Sequence, residues 1–421
     1  MSRRVVITGM GVVSPNGVGL PAFEEAIKRG ESGLRSHNEL KELNFRCQVA
    51  GKPDLTDAVK SSYFSRLDLK GLKSSGIEYG VVAGMEAWED AGLDILEEED
   101  PASGIIFGTG ILGVEKLHEA FELIDQGRVH RLGSTSVLQT MASGISAFLG
   151  GKLGCGNQVT TNSSACTTGT ESILMGYDRI RHGQADRMLV GSCGESGPYV
   201  WGGFDALRIL PYGYNDNPEE ASRPMSASAG GMVPGSGAGA MVLEDLERAQ
   251  ERGAKIYAEV IGGFVNSGGQ RQGGTMTAPN SKAVIRCIEG AIAQARVQAD
   301  QIDAINGHLT ATRMDVEEIR NWTKALGIKG KKFPRINSLK GMTGHCLSAA
   351  GSIESVASVL QIYKGFVFGN PNCDDLHPEI EGLIPRDRVP TATVDYRPAV
   401  VLKASFGFGD VNSVLAFKKY D

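Results

Sequence analysis

Cys166 lies in Ser163-Ser164-Ala165-Cys166-Thr167-Thr168-Gly169-Thr170, after the β-branched run Gln158-Val159-Thr160-Thr161 and before the helix-forming stretch from Glu171 to Tyr177. A strand that turns through small residues into a helix presents the thiol at the helix N-terminus, where the dipole favours a thiolate. Ser164, Ala165 and Gly169 are small enough to let a carbonyl approach and to leave backbone N–H groups free for an oxyanion. A lone cysteine is more often an inert small hydrophobe, so this one needs partners. His308 closes the run Ile302-Asp303-Ala304-Ile305-Asn306, and His345 lies in a glycine-containing loop before a helix. Side chains just beyond different strands converge on one edge of an α/β sheet, so Cys166, His308 and Phe408 can share a pocket with His345.

The elements that must position them alternate. A first strand over residues 5–13 is followed by a helix over 20–28, a helix over 80–91, a strand over 104–108, and a mostly apolar helix over 134–150. That last helix has no polar face, so it belongs in a core or between subunits. The Cys166 strand and helix follow, then a strand over 187–191, a long loop through Trp201, Phe204 and Arg208, a glycine-rich run over 230–239 and a strand over 240–244. Near residue 255 the pattern restarts: strand over 256–262, helix over 280–295, strand over 302–306, helix over 348–362 and a late strand over 400–405. Two βαβ-type halves packed as one unit are expected, 1–254 carrying the cysteine and 255–421 carrying both histidines.

The 421 residues exceed what one simple core usually needs. A net charge of −6 argues against nucleic-acid binding. Seven scattered cysteines with no C-x-x-C pair disfavour a disulfide framework or zinc site and fit a reducing compartment. The basic, apolar opening is interrupted by the turn Ser14-Pro15-Asn16-Gly17 rather than a cleavage site, and no run reaches membrane-spanning length, so a cytoplasmic protein is expected.

Over nearly its whole length the chain resembles the elongating β-ketoacyl-acyl carrier protein synthases of the thiolase superfamily. The motifs are RRVVITGMGVVSPNG at the start, SSACTTG at the cysteine, INGHLTAT at the first histidine, NSLKGMTGHCLSAAGSIE at the second, and a terminal SFGFG-x-x-N-S. The resemblance implies a duplicated, five-layered αβαβα fold, usually dimeric. It implies Cys166 as acyl-accepting nucleophile, His308 and His345 as the pair driving decarboxylative condensation, and Lys340 and Glu354 as their support. Phe408 is then the gating aromatic and Ile111 the far end of an acyl tunnel, with Phe204, Thr310 and Thr312 as further substrate contacts. No metal, nucleotide or redox cofactor is implied. The partner is an acidic acyl carrier protein bearing phosphopantetheine, for which Lys70, Lys73, Arg128 and Arg208 form a candidate patch, and the assembly is a homodimer or a ketosynthase heterodimer.

The chain departs from the family pattern at Leu309 and Arg313, where glycine and proline are usual, at Asp410, and in the loop Ala229–Gly239. A leucine beside the first histidine is expected to narrow the pocket, and the departures together suggest a specialised elongase, for a polyene or another unusual lipid. Three alternatives stand beside this reading. A papain-like hydrolase would have an aromatic next to its cysteine, absent here. A degradative thiolase would need a second catalytic cysteine, for which Cys346 is the candidate. A non-catalytic chain-length subunit would lack the nucleophile.

Overall fold

The computed structural model describes residues 3–95 and 97–421; Met1 and Ser2 of the basic opening lie outside them. Ten strands carry the architecture: β1 (Val5–Ser14), β2 (Ser103–Thr109), β3 (Val159–Thr160), β4 (Arg187–Gly194), β5 (Gly237–Asp245), β6 (Ala258–Ser267), β7 (Ala304–Asn306), β8 (Arg335–Asn337), β9 (Val400–Gly407) and β10 (Val411–Lys418). Their spatial order is β8-β7-β9-β10-β6-β1-β5-β4-β2-β3. Read inward from its free edge, the first five strands run 3-2-4-5-1, and the second five repeat that order from theirs. The repeat extends to direction: the outer three strands of each half are parallel and the inner two antiparallel. The halves join where Val5–Ile7 of β1 pairs antiparallel with Ala258–Val260 of β6, so the duplication expected from the sequence is a topological fact.

Helices divide the molecule into layers. α1 (Ser75–Asp90) and α2 (Gly144–Leu153) cover the outer face of the first half. α3 (Thr168–Arg181) packs between the halves with α6 (Ala350–Lys364), and α4 (Ser281–Ala295) and α5 (Met314–Leu326) cover the far face. This is the expected αβαβα stacking. β1, β2, β5 and β9 are buried along their whole length, as strands covered on both faces are. No helix among the described residues is long and apolar enough to cross a membrane.

Several expectations are corrected. The apolar stretch 134–150 is two helices, Ser136–Thr140 and α2, not one. Gly144 folds the chain back so closely that a Cβ there would lie 2.1 Å from the Leu138 carbonyl oxygen. In the first piece Ser136 and Gln139 are buried and Val137 is 69% exposed in the single chain. The presumed loop through Trp201 and Phe204 is a helix, Pro198–Ala206, started by proline at its first turn. α1 begins at Ser75, five residues before its expected start, because Ser74 caps it by accepting the Ile77 N–H. α5 and β10 have no counterpart in the sequence reading.

Candidate active site

Between β3 and α3 the chain makes one 3₁₀ turn, Ala165–Thr167, with Cys166 at its centre. The thiol is therefore delivered by a turn before the α-helix. Ala165 holds φ of +51°, a conformation that costs a residue with a Cβ and is kept only when its surroundings enforce it. Here the enforcement is local: Thr168 Oγ1 accepts the Ser164 N–H at 2.9 Å and donates to the Ala165 carbonyl at 2.7 Å. From the other half, the turn after β9 brings Phe408 alongside. Gly407 permits this, since a Cβ at that position would stand 3.2 Å from the Cys166 nitrogen. The backbone N–H groups of Phe408 and Cys166 both favour the anionic form of the sulfur, as the two donors of an oxyanion site would. Burial nevertheless outweighs them and Lys340, and holds the thiol above its ordinary pKa. The expectation of a dipole-favoured resting thiolate is thus corrected to a neutral thiol, because enclosure disfavours the anion.

His345 Nε2 lies 3.2 Å from Cys166 Sγ. Its other nitrogen, Nδ1, accepts the Leu347 N–H at 3.2 Å, which places the imidazole proton on Nε2, aimed at the sulfur. His308 stands edge-on to His345, ring centroids 5.2 Å apart. The sulfur and one nitrogen of each ring all lie within 4.8 Å of one another. Burial first, and Lys340 second, keep both histidines well below their ordinary pKa, so both are neutral.

Two acids that the sequence reading missed hold His308 in place. Glu318 accepts the N–H groups of His308 and Leu309 at 2.7 and 2.8 Å. Asp315 accepts those of Thr310, Ala311 and Met225 at 2.9, 3.1 and 2.8 Å. Both project from the first turns of α5, and together they bind a loop in which Leu309 and Ala311 have φ of +22° and +61°. Burial pushes Glu318 up to about 7 and Asp315 up to about 6. The available signal was an acid pair spaced i, i+3 after the histidine, at the start of an unread helix.

Lys340 donates to Glu354 Oε1. Unexpectedly, Lys403 of β9 lies 2.8 Å from Oε2 of the same carboxylate. One carboxylate thus faces two buried ammonium groups, one at each oxygen.

A cavity of about 200 Å³ opens on Cys166, His308 and His345 and is lined by Phe204, Thr310, Thr312 and Phe408. Phe204 and Phe408 face each other, centroids 6.1 Å apart. Ile111 does not line it: that residue is 50% exposed on the surface of the single chain. Leu309 does not narrow it either, because its side chain is buried in the core with Trp322. Arg313 is exposed at the start of α5. Asp410 is buried, and its carboxylate accepts the N–H groups of Gln270 and Asn280 at 2.9 and 2.8 Å. It thereby ties the Phe408 turn to the loop that supplies Thr277 and Pro279 to the cavity wall. Of the basic residues, Lys70, Lys73 and Arg208 are exposed and Arg128 is partly buried; Lys73 lies 3.8 Å from Glu119.

The arrangement provides a nucleophile, an oxyanion site and two neutral imidazoles facing one apolar cavity. The same three side chains are close enough to ligate a soft ion, but the two buried lysines set a positive field against a cation. Cys346 is not a second nucleophile: it is buried, its Sγ faces the Thr343 carbonyl at 3.9 Å, and its thiol is pushed up to about 12.

Comparison with known proteins places the chain among relatives of one kind. Residues 2–249 match the family described as beta-ketoacyl synthase, N-terminal domain, and residues 257–374 match its C-terminal domain. A 3-oxoacyl-[acyl-carrier-protein] synthase 2 from Vibrio harveyi is 36% identical, covering 99% of both chains. The chloroplastic 3-oxoacyl-[acyl-carrier-protein] synthase I of Arabidopsis thaliana is 34% identical over 99% of this chain and 87% of its own. Among solved structures, the ishigamide ketosynthase/chain length factor superposes with a TM-score of 0.89 at 28% identity, covering all of both chains. A type II polyketide ketosynthase, bound to the hexaketide and in complex with its acyl-carrier protein, gives 0.87 at 29% identity over all of both chains.

Proposed function

This chain belongs to the beta-ketoacyl synthase family, and from that premise we propose that it condenses a Cys166-bound acyl chain with a malonyl group carried on an acyl carrier protein. The observation carrying the reading is the meeting of the Cys166 sulfur with one nitrogen each of His308 and His345 inside 4.8 Å.

In the first half-reaction Cys166 sulfur attacks the carbonyl of an acyl thioester. The N–H groups of Cys166 and Phe408 hold the oxyanion, and the thiol proton leaves with the departing phosphopantetheine thiolate. In the second, the malonyl C–C bond breaks and CO₂ leaves. The electron pair forms an enolate whose oxygen takes hydrogen bonds from the two imidazoles. The enolate carbon attacks the acyl carbonyl, and the released Cys166 thiolate regains a proton. The product is a 3-oxoacyl thioester longer by two carbons.

The acyl carrier protein is the partner in this reading, and Lys70, Lys73, Arg128 and Arg208 are the residues proposed to meet it. Exposed apolar side chains between residues 111 and 159, among them Ile111, Phe121, Val137 and Val159, support a dimer through that face, and the edge strand β3 lies within it. Seven free cysteines suit a cytoplasmic enzyme. The departures at Leu309 and Arg313 lie off the cavity wall, so they lend no support to a polyene or other special acyl chain. Replacing Cys166 with alanine tests the reading: condensation should cease, and product formation at the native rate would favour a non-catalytic chain-length subunit.

A further inference from the structure

β9 reads Val400-Val401-Leu402-Lys403-Ala404-Ser405-Phe406-Gly407 and is buried throughout. A lysine there, 0% exposed, must be offset by something, since an unpaired buried cation is among the costliest groups in a fold. Its partner is Glu354, but that carboxylate is already neutralised by Lys340. One charge would balance the pair; the second lysine leaves the buried triad at net +1. The Lys403 ammonium is further fixed by donating to Ser405 Oγ at 3.0 Å and to the Ala404 carbonyl. Packing alone calls for an apolar residue at this position.

We propose that Lys403 is a positioning residue for the condensation step: its ammonium, set 2.8 Å from the second oxygen of Glu354, keeps the charge behind the histidines positive. The inference rests on reading this site as a decarboxylating ketosynthase. Its charge acts in two ways. It disfavours imidazolium, so His308 and His345 stay neutral donors, and it lowers the energy of the enolate that forms against them. The charged and titratable groups acting on it are Glu354 on α6, Lys340 just after β8, and Glu318 on α5. The charge of Glu318 is already engaged by the N–H groups of His308 and Leu309. Lys403 in turn acts on both histidines in the same direction as Lys340.

The test separates the two half-reactions. Lys403→Met is unbranched and one atom shorter, so it keeps the apolar stem and removes the charge. Acyl loading of Cys166, read by intact mass, should stay within about threefold of native, while CO₂ release from the malonyl carrier falls about tenfold or more. The acid limb of CO₂ release should move up by about half a pH unit or more, because removing a neighbouring cation raises the histidines' pKa. Equal loss in both half-reactions with an unmoved acid limb would mean a structural role only, and no loss in either would also overturn the proposal. Lys403→Arg covers the case in which the methionine variant does not fold. Burial lowers Lys403 to about 8, so native CO₂ release should decline above that pH, and the arginine variant, which keeps its proton, should lack the decline. The same alkaline decline in both proteins would overturn the proposal. Native enzyme that loads acyl chains but releases no CO₂ at any pH would defeat the reading of the site itself.

Discussion

The backbone N–H of Leu347 donates to Nδ1 of His345 at 3.2 Å, and this one bond decides which nitrogen of that imidazole carries the proton. Nε2 is then a donor facing Cys166, suited to an enolate oxygen and unsuited to act as base toward the thiol. His345→Ala should lower malonyl decarboxylation about 10²- to 10³-fold, the usual cost of one oxyanion donor, with a smaller effect on acyl loading. His345→Asn, which restores an N–H, should recover part of the loss. CO₂ release measured beside intact-mass loading checks both.

The resting thiol sets a pH signature. Its pKa lies above the ordinary value because burial disfavours the anion, so alkylation of Cys166 by iodoacetamide should be slow at pH 7 and rise about tenfold per pH unit below that pKa. A rate already at its plateau at pH 7 would instead indicate a stable thiolate. Both histidines titrate well below their ordinary range, so CO₂ release should hold level as pH falls from 7.5 to 6.

Glu318 ties stability to pH. Its folded pKa, about 7, exceeds the ordinary 4.5, so the contribution from its protonation is full in acid below the unfolded pKa. It is lost as pH rises through 7. Tm of the native enzyme should therefore decline from pH 5 to pH 8 more steeply than that of Glu318→Gln. Glu318→Ala leaves the His308 and Leu309 N–H groups without an acceptor, which costs about 1–3 kcal/mol for each. It should cut condensation far more than loading.

Asp410 anchors the turn beside Phe408 to residues 268–280. Asp410→Gly relieves the strain of its φ of +61° but removes the acceptor for Gln270 and Asn280. Tm should fall, and trypsin should cut at Arg271, within the released loop, faster than in native protein. Unchanged cleavage would show that the loop is held by its other bonds, such as Gly409 N–H to the Met276 carbonyl at 2.8 Å.

The convergence of Cys166, His308 and His345 and the duplication were legible in the sequence because each signal was local: a small-residue turn after a β-branched run, a histidine after a short apolar strand, a restart of the pattern near residue 255. What failed depended on long-range contact. Lys403 carries no local signal, since its partner Glu354 comes from a distant helix. Asp315 and Glu318 went unread because their role is to bind backbone N–H groups, which leaves no side-chain partner to notice. Residues 134–150 read as one helix because periodicity cannot register the close approach of Gly144 to Leu138.

The central claim is that one cysteine carries the acyl group while two neutral imidazoles generate the attacking carbon. Incubating the enzyme with an acyl carrier thioester, confirming the mass increase on Cys166, and then adding malonyl carrier tests it in one tube. The added mass should disappear from Cys166 as CO₂ and a 3-oxoacyl carrier two carbons longer appear in equal amounts. An acyl-enzyme that persists after malonyl carrier is added, or that yields only free fatty acid, would contradict the claim.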